Sequence, residues 1–208
     1  MKRAFAGILA IATSVLPLVA GCAPTGPEGR LALTSRTANP LRLDASFAHG
    51  SYAVDPASVS IIMSTVPLDA LRDGKFETAQ VVDIRLLWEP RAGRTPVSRD
   101  ATNLVIRHVI LVDGEVGIYG GGGFGWPSGT PGETGFGLEI TGSSVSLVDS
   151  TEGFIDLMSP ATLLGSIAGP LDAATTVEFR DTITQIVTDR LGRARWVHLP
   201  SGGSSTAG

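Results

Sequence analysis

Only one stretch of this chain has the apolar spacing of a long helix, and it lies near the C-terminus. From Ala173 to Leu191, apolar residues recur every three or four positions and polar residues fill the positions between them. Asp172 precedes this stretch as a good N-cap, and Gly192 follows it where a helix commonly ends. The sequence therefore predicts one helix over 173–191, with an apolar stripe made of Phe179, Ile183, Ile186, Val187 and Leu191.

The residues before this helix show the patterns of β-strands instead. Apolar and polar residues alternate in 30–34, 41–45 and 82–88, and 103–112 is apolar on both faces apart from Arg107 and His108. The turn Asp113-Gly114 is typical of a two-residue hairpin, which pairs 103–112 with a short strand at 115–119. The other predicted elements are a strand at 59–64, a helical turn at 67–74, a hairpin joining 137–140 to 145–147, and a final strand at 195–199.

Strands followed by one long helix predict an α+β fold. A meander-rich antiparallel sheet needs a cover on one face, and the C-terminal helix supplies it. The alternative is a β-sandwich, which leaves that helix without a packing role. The chain has 208 residues, 43% of them hydrophobic, and no linker between 30 and 200, so we expect one domain over that range. Residues 201–208 are rich in serine and glycine and are predicted to be a disordered tail.

The first 22 residues have the composition of a secretory leader. Lys2 and Arg3 form a basic start, and 4–20 is almost purely apolar but short for a bilayer-spanning helix. Small residues follow at 19–21, directly before Cys22, which is the only cysteine of the chain. This pattern resembles the lipobox of bacterial lipoproteins.

The resemblance implies cleavage before Cys22, a diacylglycerol on its thiol and usually a further acyl chain, such as palmitate, on its amine. Two or three acyl chains give stable membrane attachment. Residues 1–21 are then the signal peptide, and 22–29 form a lipidated Pro/Gly-rich tether that holds the domain in the cell envelope, facing the periplasm or on the outer membrane where two membranes exist. The alternative is an ordinary cleaved signal or an N-terminal helix with a chance cysteine.

The charge of the chain argues against nucleic acid as a partner. Loss of Lys2 and Arg3 leaves 14 basic residues against 20 acidic ones, which is a net charge of −6. Nucleic-acid binding requires a dense footprint of lysine and arginine, which this composition does not supply.

Two long loops are predicted to emerge at one end of the sheet. If 80–88, 103–112 and 115–119 run up, down and up, the loops 89–102 and 120–135 lie together, and long loops are often functional. The first contains arginines and the second is bordered or occupied by aromatic residues, namely Arg91, Arg94 and Arg99 with Tyr119, Phe124 and Trp126. Arginines beside aromatic rings can bind a carboxylate, a phosphate or an acidic sugar. The alternative is that the arginines solvate a loop while the aromatic rings cap the core.

Catalytic motifs are weak throughout the chain. The run GGGGFG at 120–125 matches a dinucleotide-binding pattern, but the residues after it cannot start a helix, so we expect a flexible loop or a bulged strand and no cofactor. The three histidines lack a second ligand at metal-binding spacing, so no metal is expected. His108 is predicted to be a core residue, and the acidic group Asp149, Glu152 and Asp156 is predicted to be a solvated turn.

Three hypotheses about function follow from these patterns. The leading one is a non-catalytic envelope lipoprotein that binds a protein partner or supports an assembly through the loops 89–102 and 120–135. The second is a small module that binds an anionic ligand through Arg91, Arg94 and Arg99. The third is an envelope hydrolase whose site is built from scattered residues such as His108, Asp149 or Asp156.

Overall fold

One antiparallel sheet contains most of the residues that the computed structural model describes, which are 26–90 and 101–195. Two helices pack on one face of this nine-stranded sheet. The elements, in chain order, are β1 (Glu28–Ser35), β2 (Arg42–Phe47), β3 (His49–Asp55), β4 (Ser58–Ser64), α1 (Leu68–Asp73), β5 (Thr78–Leu86), β6 (Leu104–Val112), β7 (Glu115–Ser128), β8 (Gly135–Ser150), β9 (Ala161–Pro170) and α2 (Ala173–Leu191).

The sheet is strongly curled. Its strand order is β2-β1-β9-β8-β7-β6-β5-β4-β3, so β3 to β9 form a continuous meander. The two edge strands, β2 and β3, are separated in the chain by Ala48 alone, which requires the two edges of the sheet to approach each other. Near this closure Tyr52 of β3 forms a bridge with Leu171, which follows β9, and the Asp172 amide donates to the Tyr52 carbonyl at 3.0 Å.

Curling divides the apolar residues between two cores. Alternate side chains of β5 illustrate this division, because Val82 and Ile84 belong to the inner core whereas Val81 belongs to the outer one. The inner core fills the concave side of the sheet and includes residues from every strand. The outer core lies between the sheet and the two helices, and its helical members are Leu71, Phe179, Ile183 and Val187.

Helix α2 covers part of the outer face, as the sequence predicts. Phe179, Ile183 and Val187 are buried, and Gly192 ends the helix at φ 67°. The Asp172 side chain accepts a hydrogen bond from the Thr175 amide at 2.9 Å, which is the predicted N-cap. The antiparallel sheet with one long C-terminal helix confirms the α+β class.

We expect Asp172→Ala to lower the free energy of unfolding by about 1 kcal/mol, because the amide at the start of α2 then loses its acceptor. Asp172→Ser is the matched variant, since a serine hydroxyl can still cap the helix. Urea denaturation of both variants tests this. Equal stability of the alanine and serine variants would contradict a capping role.

Local signals placed several further elements correctly. The strands predicted at 30–34, 41–45, 59–64 and 82–88 correspond to β1, β2, β4 and β5, and 103–112 corresponds to β6. Asp113 and Gly114 form the predicted hairpin turn, both with positive φ, at 49° and 84°. The turn predicted at 67–74 is α1, which ends at Gly74 with φ 65°.

The predictions for the glycine-rich region were wrong in two respects. Residues 120–128 belong to β7, so the predicted loop shrinks to a turn at 129–134 and the strand predicted at 115–119 continues to Ser128. The predicted second hairpin at 137–140 and 145–147 is one strand, β8, with a register shift between Ile140 and Ser144. Close backbone packing explains why glycine is needed here, since a Cβ on Gly121 would lie 1.9 Å from the Ser144 carbonyl oxygen.

Two strands were missed, β3 and β9, and the strand predicted at 195–199 lies outside the described residues apart from Arg195. The predicted tail at 201–208 also lies outside them. Strand β9 contains Gly165 at φ 133°, whose Cβ would lie 2.0 Å from the Arg30 carbonyl oxygen. A glycine of this kind weakens the strand pattern in the sequence, although it permits the close pairing with β1.

Candidate functional site: the tether end of the sheet

One end of the sheet is also the end at which the predicted tether joins the domain. Cross-strand pairing places Ser128, Gly137, Ala168 and Glu28 in one row across β7, β8, β9 and β1. The first described residues, 26–27, directly precede Glu28. We call this end, where β1 begins and β5 and β7 finish, the tether end. The connections after β5 and β7 both emerge here, in agreement with the predicted loop arrangement.

Three aromatic side chains form a cluster at the tether end. The ring of Phe124 lies 6.0 Å from that of Trp88 and 5.2 Å from that of Trp126, and both contacts are edge-to-face. Phe124 is buried, whereas Trp88 is 40% exposed and Trp126 is partly exposed. The Trp88 indole N–H donates to the Thr102 carbonyl at 3.1 Å. The cluster therefore presents two indole rings on a fixed support.

A fully buried asparagine provides much of that support. The Asn103 amide nitrogen donates to the Gly125 carbonyl at 2.9 Å and to the Trp88 carbonyl at 3.4 Å. Its amide oxygen accepts from the Gly125 amide at 2.9 Å. Asn103 thus ties the residue that carries the first indole to the strand that carries the other two rings. Sequence reasoning assigned no role to Asn103, although a polar amide beside an apolar strand was an available signal.

A small apolar cleft adjoins Trp88. Its volume is about 250 Å³, and its walls include Val54, Leu87, Trp88 and Pro131. Val54 and Leu87 are 47% and 43% exposed, which is unusual for large aliphatic side chains at a strand end. The carboxylate residues Asp55 and Glu89 also line the cleft. Its chemistry suits an apolar side chain accompanied by a cationic group.

The structure brings together only some of the predicted site residues. Phe124 and Trp126 are in contact, and Trp88 joins them. Tyr119 lies elsewhere, because it faces the inner core and is 1% exposed. Its hydroxyl donates to Asp156 at 2.8 Å. The three arginines of the predicted loop, Arg91, Arg94 and Arg99, lie outside the described residues.

A second concave surface begins beside the tether. It has a volume of about 1080 Å³ and lies on the part of the sheet formed by β2, β1, β9 and β8. Small and polar side chains dominate the solvent-facing positions that line it, namely Glu28, Arg30, Ser46, Ser128, Glu139, Ser166 and Ala168. This surface is broad and shallow, and it offers area for contact more than a defined chemical site.

The residues of the hydrolase hypothesis are engaged in structural interactions. His108 is buried, and its Nε2 lies 2.9 Å from the Gln80 amide oxygen. Asp149 forms ion pairs with Arg193 and Arg195 at 2.7 and 3.1 Å. Burial raises the cost of ionising Asp149, but these guanidinium groups and the Ser150 amide outweigh it and hold its pKa below the ordinary value. These arrangements stabilise the fold and leave no exposed acid–base pair among the three residues.

Burial lowers the pKa of His108 from 6.5 to about 4. Between these two pH values the unfolded chain binds a proton that the folded protein excludes, so stability falls as the pH falls from about 6.5 to about 4. We expect a loss of about 3 kcal/mol across this interval, measured by urea denaturation. His108→Gln should flatten the profile in that interval. An equally steep profile in His108→Gln would show that another group is responsible.

The described residues contain neither a metal-binding cluster nor a helix suited to a bilayer. Among them, no group of three or more histidine, cysteine, aspartate or glutamate side chains is placed to hold a metal ion. No helix in the same part of the chain is both long enough and apolar enough to span a bilayer. No protein-family model, curated protein or solved structure matches this chain.

Proposed function

We propose that this protein is a non-catalytic lipoprotein of the cell envelope that binds a protein partner through the aromatic cluster at its tether end. The observation that carries the proposal is the pair of exposed indoles, Trp88 and Trp126, held in place by Phe124 and Asn103. Exposed aromatic side chains on rigid supports are typical anchors of protein interfaces, because they bury a large area at a low cost in conformational entropy.

The anchor restricts where that partner can be. Lipidated Cys22 would precede Glu28 by six residues, a span of roughly 20 Å at most. Since Glu28 lies at the tether end, the aromatic cluster would stay close to the membrane surface. A partner that binds there is therefore itself embedded in or attached to the same membrane.

The cleft beside Trp88 indicates the chemistry of the contact. An aliphatic side chain of the partner would fill the space between Val54 and Leu87, and a lysine or arginine would meet Asp55 and Glu89. The same carboxylates make an acidic partner surface unfavourable at this position.

The proposed contact is tested with Trp88→Ala and Trp126→Ala in the lipidated protein. Val177→Ala is the matched control, because Val177 is a 48% exposed apolar residue of α2, outside the aromatic cluster. We expect each tryptophan variant to weaken binding to the copurifying envelope partner by about 2 kcal/mol, or roughly 30-fold in Kd. The Val177 variant should bind like the unmodified protein. Unchanged affinity in both tryptophan variants, with normal unfolding free energies, would refute the site.

A second candidate function rests on the same end of the sheet. Arg91, Arg94 and Arg99 begin three positions after the exposed Trp88, so an anionic ligand could bind guanidinium groups beside an indole ring. Titration with a carboxylated or phosphorylated sugar tests this candidate. Affinity should fall when the three arginines become alanine and when salt is added; affinity independent of both would eliminate it.

We infer that the sheet is one curled layer and not the pair of facing sheets of a sandwich. Pairing continues without a break from β2 to β3, which supports this choice.

A further inference from the structure

The segment between β8 and β9 closes the end of the sheet opposite to the tether, which we call the distal end. Phe154 lies against Gly117, where a Cβ would be 2.1 Å from the ring, and its ring centre is 6.4 Å from that of Tyr119. Met158 is 8% exposed and belongs to the inner core. Alternate residues of this segment therefore point into the concave side of the sheet.

The inward residue between these two apolar ones is a carboxylate. One oxygen of Asp156 accepts three hydrogen bonds, from the Tyr119 hydroxyl at 2.8 Å and from the Met158 and Ser159 amides at 3.0 Å each. Burial disfavours the Asp156 anion, but these donors outweigh burial and hold its pKa below the ordinary value. The Gly153 amide adds a bond to the Glu115 carboxylate at 3.2 Å. The segment is therefore held by contacts along its length.

The two residues that flank Asp156 point outward, and both are large and aliphatic. Ile155 is 76% exposed and Leu157 is 61% exposed, the two highest values among the exposed large hydrophobic residues of the described chain. Solvation alone favours the opposite arrangement, with the carboxylate in water and the aliphatic side chains buried. The fold instead places a hydrogen-bond network around the carboxylate and leaves the aliphatic pair in solvent.

We propose that Ile155 and Leu157 form a preorganised hydrophobic knob that binds an apolar groove of a second envelope protein. Fixing the loop before binding lowers the entropic cost of association. The carboxylates of Glu115 and Glu152 flank the knob, so charge complementarity favours a groove with lysine or arginine on its rim. This knob and the aromatic cluster lie at opposite ends of strands about 30 Å long, so one molecule would bridge a contact near the membrane and another farther away.

The proposal requires only the envelope location from the proposed function, and it is independent of the aromatic cluster. The test introduces a cysteine into the full-length lipidated protein at position 155 or 157, as Ile155→Cys and Leu157→Cys. Acylation of Cys22 would leave the new cysteine as the only free thiol. Leu164→Cys is the matched control, since Leu164 is a 42% exposed leucine on β9, away from the knob.

Labelling by a small maleimide is measured in intact envelopes and in the purified protein. We expect Ile155→Cys and Leu157→Cys to react about tenfold more slowly in envelopes, since the rate follows the unbound fraction. Leu164→Cys should react equally in both. Equal rates at 155 and 157 would overturn the proposal.

Two further measurements identify what covers the knob. Protection that appears in the purified protein as its concentration rises would show that a second copy covers the knob, and would overturn the proposal of a different partner. Adding Glu152→Lys to Leu157→Cys should restore labelling in envelopes if the rim of the groove is basic. Recovery of the protein in a soluble fraction would refute the lipid anchor and is observed separately, before any labelling.

Discussion

Arg180→Ala is expected to lower the free energy of unfolding by about 3–5 kcal/mol, because it leaves a carboxylate buried without its counter-charge. Arg180 lies on α2, and its guanidinium donates to Asp83 of β5 at 3.0 Å. The two side chains are only 3% and 10% exposed, so water cannot replace the missing partner. Denaturant unfolding of the purified variant measures the loss.

The control for this prediction is an ion pair on the surface. Arg42 and Asp44 are joined at 2.8 Å, but their side chains are 64% and 65% exposed. Arg42→Ala should therefore change stability by less than about 1 kcal/mol. Replacing both buried partners, as Arg180→Leu with Asp83→Leu, should cost less than Arg180→Ala, since no unpaired charge remains. Similar losses in Arg180→Ala and Arg42→Ala would contradict this interpretation of the buried pair.

Gly121→Ala is expected to destabilise the protein by about 3 kcal/mol or more, because the added methyl group meets backbone that cannot move independently. A Cβ at position 121 would lie 1.9 Å from the Ser144 carbonyl oxygen and 2.9 Å from the Val145 Cα, both on the paired strand β8. Relief of the clash requires β7 and β8 to separate. Denaturant unfolding with hydrogen exchange of the β7 amides measures both effects.

Gly142→Ala provides the comparison within the same pair of strands. No atom lies within 4 Å of a Cβ built at Gly142, and its φ is outside the left-handed region. We therefore expect a change of less than about 1 kcal/mol. If Gly121→Ala were tolerated as well as Gly142→Ala, the glycine run would be a flexible segment and not a closely packed strand.

The elements predicted correctly have local signals, and those missed depend on distant residues. Helix α2 has its own cap at Asp172 and its own apolar stripe, and the hairpin at Asp113-Gly114 has a turn that few other residues can form. The continuation of β7 through 120–128 depends instead on β8, because only the opposing backbone shows why glycine is needed there. The pairing of Arg180 with Asp83 spans 97 positions and has no signature in either segment.

The candidate site was predicted in part for the same reason. Phe124 and Trp126 follow from their position near a strand end, and the contact with Trp88 follows once β5 and β7 finish at the same end. Tyr119 was assigned to that end because β7 was predicted to be short. In the longer strand Tyr119 pairs with His108 and faces the inner core, where burial, followed by the contact with Asp156, raises the pKa of its hydroxyl.

The most direct test of the central claim is crosslinking of the unmodified lipidated protein in intact envelopes, followed by mass spectrometry. Lys75 is the only lysine after the predicted leader, so a dihydrazide that joins carboxylates is the suitable reagent. Glu89 and Glu133 are exposed near the cleft and supply reactive groups at the tether end. We predict that both become linked to one dominant membrane protein. Recovery of the protein alone, or links to other proteins that avoid Glu89 and Glu133, would contradict binding through the aromatic cluster.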